Sequence, residues 1–262
     1  MADTQSKFFW YELMTSDQDA AIDFYRKVVG WDADQVVSTP DGGRYTILAA
    51  GERPIGGVLQ IGEEMRSGGA RPGWFGYVHV ADTDLAARRI AEAGGTVHMA
   101  PTDIPDTGRF AMVADPGGVP FYVMTPTPRA GDPPPPDDPT ALGLVSWREL
   151  YAGDGQAASF LFYSGQFGWE TLHEMDMGPM GTYRIFGRGD EQMGGMMDKP
   201  AQMPAPAWNF YVNVDSVDSA VERIKAGGGQ VTMGPMEVPT GSWIVQCVDP
   251  QGAAFALTSL QR

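Results

Sequence analysis

Glu12 and Glu149 stand inside aromatic stretches, Phe8-Phe-Trp-Tyr-Glu-Leu-Met14 and Trp147-Arg-Glu-Leu-Tyr151. A carboxylate among rings of that size must pair, accept strong hydrogen bonds or take up a proton. Two readings follow: a general base or ligand-orienting group, or a structural carboxylate bonded to tyrosine or backbone. His79 closes a third such stretch, Trp74-Phe-Gly-Tyr-Val-His79. With Glu12 it would form an acid/base couple or two ligands of a displaced metal site, the alternative being a structural strand histidine. The second half of the chain places Asn213 where the first has His79, so that chemistry would be confined to the first half. His98 and His173 lie near loops and read as surface residues. The single cysteine, Cys247, excludes an intramolecular disulfide and a cysteine-cluster zinc site, and reads as a small core residue.

The elements that must position these groups follow from periodicity. Residues 8–14 alternate large side chains as a strand does, and residues two apart share a face. Trp10, Glu12 and Met14 therefore fall together, as do Phe75, Tyr77 and His79, then Trp147, Glu149 and Tyr151, then Asn209, Tyr211 and Asn213. Tyr11, Leu13, Val78 and Val80 take the opposite face, under helices. A helix is expected over 17–29, capped by Asp17, with Ala21, Phe24, Tyr25 and Val28 as its apolar stripe and Gly30 as its left-handed stop. Strands follow near 34–39, 44–50 and 55–61. The pattern then repeats as a strand at 74–80, a helix at 83–93 and strands near 96–99, 109–114 and 119–124. Asp115-Pro-Gly-Gly118 and Asp249-Pro-Gln-Gly252 mark the last hairpins.

The chain carries a larger repeat. Tyr25 and Tyr163, each followed after four residues by Gly-Trp, lie 138 residues apart. Tyr45 and Tyr183, and Gly56-Gly57 and Gly194-Gly195, keep that offset, which falls to 134 for Trp74 and Trp208 and for Asp115-Pro116 and Asp249-Pro250. Two tandem α+β domains are expected, each a pair of βαβββ units, at residues 1–125 and 144–262. The proline-rich segment 126–143 would be an extended, semi-rigid spacer.

Composition narrows the function. With 262 residues, 43% hydrophobic and 19% charged, the chain is globular. A net charge of −15 repels phosphate backbones and argues against nucleic acid. No apolar run reaches the ~18 residues of a membrane span, and the N-terminal sequence has no signal-peptide pattern. A cytoplasmic protein without a membrane partner is expected.

These motifs resemble the vicinal oxygen chelate superfamily, which includes glyoxalase I, extradiol dioxygenases and bleomycin-resistance proteins. The resemblance rests on the strand-Ser-Asp-helix opening, Phe-Tyr with Gly-Trp beyond it, and Asp-Pro-x-Gly before the last strand, the latter two twice over. It implies that each pair of units forms a curved, cup-shaped mixed sheet with helices outside and a small molecule within. In enzymes of the family a divalent metal sits on the cup floor, held by residues of the first and last strands. Counting back from Asp17 and Asp154, the first-strand positions are Trp10 and Trp147. Phe75 and Asn209 are their second-unit counterparts, and Tyr122 and Ala256 are the last-strand positions. Trp, Phe and Ala offer no lone pair to such a cation, so no metal ligands are assigned.

The expectation is a small-molecule binding protein that holds a mostly apolar or aromatic ligand without cofactor. Its lining would be Trp10, Glu12, Met14, Phe75, Tyr77, His79, Tyr122, Trp147, Glu149, Tyr151, Asn209, Tyr211 and Asn213. The alternative is a lyase, isomerase or hydroxylase-like enzyme using Glu12 and His79 as catalytic groups, or a relocated divalent metal. Methionines cluster in the second copy, and the Met-rich segment 174–181 reads as a mobile lid or as a variable loop. Four units in one chain suggest a monomer, a covalent pseudo-dimer.

Overall fold

The computed structural model describes residues 6–39, 42–128 and 138–262. The first copy runs β1 (Phe8–Thr15), α1 (Gln18–Val28), β2 (Asp32–Ser38), β3 (Arg44–Ala50), β4 (Arg53–Gln60), a short α2 (Glu63–Ser67), β5 (Gly73–His79), α3 (Thr83–Glu92), β6 (Thr96–Ile104), β7 (Gly108–Ala114) and β8 (Pro120–Pro126). The second runs β9 (Val145–Ala152), α4 (Gln156–Phe167), β10 (Glu170–Asp176), β11 (Thr182–Arg188), β12 (Glu191–Asp198), β13 (Ala207–Asn213), α5 (Val217–Ala226), β14 (Gln230–Glu237), β15 (Trp243–Val248) and β16 (Ala254–Ser259). Each copy builds one eight-stranded mixed sheet, ordered β2-β3-β4-β1-β5-β8-β7-β6 and β10-β11-β12-β9-β13-β16-β15-β14. The α+β plan of paired βαβββ units is thus present twice. Half of the expected spacer, residues 129–137, falls outside the described residues.

Local chemistry explains the helix ends. The Asp17 carboxylate accepts the Ala20 N–H at 3.1 Å, Asp82 accepts that of Leu85 at 2.9 Å, and the Ser216 hydroxyl that of Ser219 at 3.2 Å. Gly30 stops α1 at φ +88°. Asp154, at the place of Asp17 in the second copy, does not cap α4: the cap is Gly155, and the Gln156 N–H is taken by Asp198 Oδ1 at 2.7 Å. In the first copy Gln60 Oε1 does the same for the Gln18 N–H at 2.9 Å, a side-chain cap from a neighbouring strand that no local pattern announces.

Packing divides the chain differently from the repeat. One compact unit takes described residues 6–10, 75–128 and 147–209; the other takes 11–39, 42–74, 138–146 and 210–262. Each unit therefore joins half of one copy to the opposite half of the other.

In the first unit Trp169 stacks on Tyr163 at 5.3 Å and on Phe186 at 4.6 Å, while Phe8 meets Trp208 edge-on at 5.0 Å. The Trp208 indole donates to the Tyr163 hydroxyl at 3.0 Å, and that of Trp169 donates to the Ser6 carbonyl at 2.7 Å. In the second unit Tyr25 stacks on Trp31 at 5.7 Å and meets Trp74 and Phe255 edge-on. The Trp74 indole donates to the Tyr25 hydroxyl at 2.8 Å, which in turn donates to Asp249 Oδ2 at 3.1 Å. Burial raises the pKa of Tyr25 and of Asp249 above their ordinary values, and the charge of Asp249 pushes Tyr25 further. The Phe-Tyr and Gly-Trp motifs thus join the two copies: Tyr25 belongs to the first and Asp249 to the second.

The Met-rich segment does not stay outside the sheet. Glu174, Met175 and Asp176 pair with Arg184, Tyr183 and Thr182, and Arg184 holds Glu174 at 2.7 Å. Only Gly178–Met180 forms a separate turn. Met193, Met196 and Met197 are buried and fill core volume.

Candidate functional site

The clearest polar constellation lies in the first unit. The Trp147 indole, which can only donate, gives its N–H to the Tyr183 hydroxyl at 2.8 Å. Tyr183 then has one proton left to give, and it goes to Glu149 Oε1 at 3.0 Å. The direction of the chain is fixed by the donor at its head. Burial, and then the nearby Glu149 charge, hold the Tyr183 phenol well above its usual pKa, so it remains a donor. Glu149 is 7% exposed and thus meets both conditions set for a buried carboxylate, burial and a strong donor.

Tyr183 was not foreseen as a site residue, although a signal existed. Its ring lies over Gly195, where an added Cβ would fall 2.2 Å from the ring, so the second glycine of the Gly-Gly pair is the seat of the tyrosine. The first copy repeats the device: Tyr45 lies over Gly57, with the same clash at 2.3 Å. A tyrosine at the second position of its strand and Gly-Gly on the next strand, kept at one offset, was the pattern to read. β11 pairs antiparallel with β12, Ile185 opposite Gly195, which leaves Tyr183 two residues along the same face.

The second half of the first sheet, in the same unit, is built otherwise. Tyr77 stands directly opposite Tyr122 in the parallel β5–β8 ladder, and the two rings stack at 4.2 Å and 14°. Phe110 flanks Tyr122 at 5.9 Å and Phe75 meets it edge-on at 6.3 Å. His79 stands at the end of this wall, its ring edge-on to Phe9 at 5.8 Å, and its backbone bonds Ser6 and Lys7.

The remaining expected residues divide by unit. Glu12 and Met14, each 4% exposed, belong to the second unit, whereas Trp10 and His79 belong to the first. In the second unit Gln246 donates to the Tyr211 hydroxyl at 2.7 Å, and Tyr211 faces Ala256 in the ladder. Asn213 is fully engaged: its Nδ2 donates to the carbonyls of Pro139 and Ala141, and its Oδ1 accepts from Ser146 at 2.6 Å. It anchors the segment entering β9 and has no amide hydrogen left for a ligand. Asn209 and Tyr151 are buried at 9% and 7% exposure in the first unit.

The donor set does not fit a divalent metal at the positions the resemblance indicates. The only side-chain polar atom of Trp147 is an N–H already donated to Tyr183, Trp10, Phe75 and Ala256 offer a cation no lone pair, and the one oxygen left in each copy, that of Tyr122 or of Asn209, does not make a ligand set. Among the described residues no three His, Cys, Asp or Glu side chains gather as a metal site requires.

Two sheets of this topology, with two-fold repeated Asp-Pro-x-Gly hairpins, define a class, and comparison identifies it. The family model described as Glyoxalase/Bleomycin resistance protein/Dioxygenase superfamily matches residues 7–123 and 147–257, and the chain belongs to that family. It is 29% identical over 248 residues to the putative glyoxylase CFP32 of Mycobacterium tuberculosis (strain CDC 1551 / Oshkosh), covering 95% of this chain and 92% of the relative. It is 30% identical over 265 residues to the anthracycline biosynthesis protein DnrV of Streptomyces peucetius, covering 96% and 92%. Among solved structures, the Mn(II)-bound glyoxalase from Novosphingobium aromaticivorans shares the fold at a TM-score of 0.65 and 16% identity, covering 98% of this chain and 83% of that one. Homoprotocatechuate 2,3-dioxygenase from Arthrobacter globiformis does so at 0.67 and 13%, covering 97% and 80%. No helix among the described residues is long and apolar enough to cross a membrane.

Proposed function

We propose that this chain is a small-molecule binding protein that holds a planar, mostly apolar or aromatic ligand against the aromatic faces of its two sheets, without the metal of its family. The observation that carries this reading is the fate of the metal positions: Trp10, Phe75 and Ala256 offer a cation no lone pair, the polar atom of Trp147 is spent on Tyr183, and each copy keeps at most one oxygen donor, Tyr122 or Asn209. Phe75 and Phe110, half-buried beside the buried stack of Tyr77 and Tyr122, would offer ring surface on which a flat ligand gains dispersion and burial. Trp10, Glu12, Met14, Phe75, Tyr77, His79 and Tyr122 would serve the first copy, and Trp147, Glu149, Tyr151, Asn209 and Tyr211 the second. A relative named for anthracycline biosynthesis fits a polycyclic aromatic ligand class. We take residues 1–125 and 144–262 as the two domains, joined by 126–143, and the chain as a cytoplasmic monomer.

The test is a titration of tryptophan fluorescence with anthraquinones, with and without EDTA. Saturable quenching that EDTA leaves unchanged and that a Trp10→Ala, Trp147→Ala double variant loses is the expected result. Quenching indifferent to the double variant would overturn the proposal.

A second reading has its own support. A buried carboxylate fed by a phenol, as Glu149 is by Tyr183, suits a proton-transfer enzyme, and the glyoxalase neighbour is named as Mn(II)-bound. Elemental analysis of protein purified without chelator separates the two. One tightly held divalent ion per chain, lost in His79→Ala, would put the enzyme first.

A further inference from the structure

A second concavity lies away from the sheet faces, wholly within the first unit. It is a groove of about 370 Å³ between the end of α3, the Asp-Pro-Gly-Gly turn and α4, lined among others by Ala93, Pro116, Asp154, Ser159, Leu161 and Phe162. Its volume falls in the range of small-ligand sites.

Three features set it apart from ordinary surface. First, α4 has no charged residue, in a chain of net charge −15, and exposes Leu161 at 73%. An uncharged helix with an exposed leucine beside a groove presents apolar surface to whatever enters. Second, Ser159 is 3% exposed and its Oγ has no hydrogen-bond partner, although the residue lines the groove. A buried hydroxyl left unpaired is costly, and a ligand donor or acceptor would relieve it. Third, two carboxylates flank the same end. Asp154 lines the groove, and behind Pro116 lies Asp115, 1% exposed, whose Oδ1 accepts the Val119 N–H at 2.8 Å. The far end carries the opposite sign: Arg89 donates to the Gly165 carbonyl at 3.1 Å.

The other unit shows what a packed version looks like. At the offset of 138, Ala21 replaces Ser159, Asp23 replaces Leu161 and Lys27 replaces Gly165. Ala21 is fully buried, Phe24 lies tightly on Gly227 and Gly229, and α1 carries charge on its outer face.

We infer that the α3–α4 groove is a binding site for a small hydrophobic amine, its ammonium toward Asp154 and Ser159 and its apolar body along Leu161, Phe162 and Ala93. The amine satisfies the serine hydroxyl, offsets the Asp154 carboxylate and covers the leucine. A carboxylate ligand would meet Asp154, and a purely apolar one would leave Ser159 unpaired.

The test uses 2-phenylethylamine and its neutral analogue 2-phenylethanol, titrated into the full chain and followed by amide NMR shifts. The amine should move Ser159, Leu161, Gly165 and Gly117 saturably. The alcohol, or the amine added to the surface variant Asp154→Asn, should bind about tenfold more weakly, as loss of a charge-assisted hydrogen bond implies. Leu161→Gln should weaken both compounds alike. Equal affinity of amine and alcohol, an Asp154→Asn variant indistinguishable from the parent, shifts confined to Trp147 and Tyr183, or no saturable shift would each overturn the assignment. Binding of anthraquinones at the sheet faces is independent of every one of these outcomes.

Discussion

The wall of the first copy and the relay of the second lie in one compact unit, yet they do opposite things with their aromatic residues. On β5, β7 and β8, Phe75, Tyr77, Phe110 and Tyr122 meet ring to ring. On β9 and β11, Trp147 and Tyr183 meet through their polar atoms and deliver a proton's worth of hydrogen bonding to Glu149. The wall packs flat rings on one another; the relay directs two donors in series onto one carboxylate. Duplication kept the backbone and let the two faces take different chemistry, because a strand's facing side chains can change without disturbing the layer beneath.

The sharpest way to break the comparison is to remove the seat of the relay. Gly195→Val places a side chain where the Tyr183 ring lies, and the ring cannot stay. Overpacking of that kind should cost about 1–3 kcal/mol in denaturant unfolding, together with quinone binding at the second copy. The matching Gly57→Val should cost as much stability through Tyr45 and leave the relay intact, so an equal loss of second-copy binding would refute the separation.

Tyr183→Phe probes the relay more gently. It leaves the Trp147 N–H and the Glu149 carboxylate each without that partner, and about 1–2 kcal/mol should be lost in thermal or urea unfolding. Tyr122→Leu, by contrast, keeps volume on the wall while ending the stack with Tyr77. The expected loss is about 0.5–1.5 kcal/mol, with weaker binding of flat ligands and no change for Glu149-dependent ones, read by fluorescence titration.

The smallest effect concerns pH. Asp249 has a folded pKa raised by burial, so the folded state binds its proton more tightly than the unfolded chain does. Stability tied to this group is therefore present below its unfolded pKa of roughly 4 and falls as pH rises toward the higher folded value. Asp249→Asn should flatten that fall in urea midpoints measured across the mildly acidic range. Asp115 is raised for the same first reason, so Asp115→Asn should behave alike in the other unit. A slope unchanged in both variants would place the pH dependence elsewhere.

Much of this molecule was written in the order of its residues. Asp17, Asp82 and Ser216 announce helices because a cap needs only a side-chain oxygen three residues from an open N–H. The repeat offset, the hairpin turns and the alternating strands are local as well, and so the two βαβββ pairs could be read without coordinates. The burial of Glu12 and Glu149 was legible too, from the rings around them in sequence. What lay beyond reach involved partners far along the chain. Gly155 replaces Asp154 as a cap because Asp198 arrives from another strand, and Tyr183 becomes the partner of Glu149 only when β11 folds beside β12 and β12 beside β9. The exchange of halves between copies, with Tyr25 donating to Asp249 over a separation of 224 residues, belongs to tertiary structure alone. Periodicity and capping depend on neighbours a few residues away, which sequence displays. A hydrogen bond between distant segments depends on which apolar faces bury each other, and that is settled only when the whole chain packs.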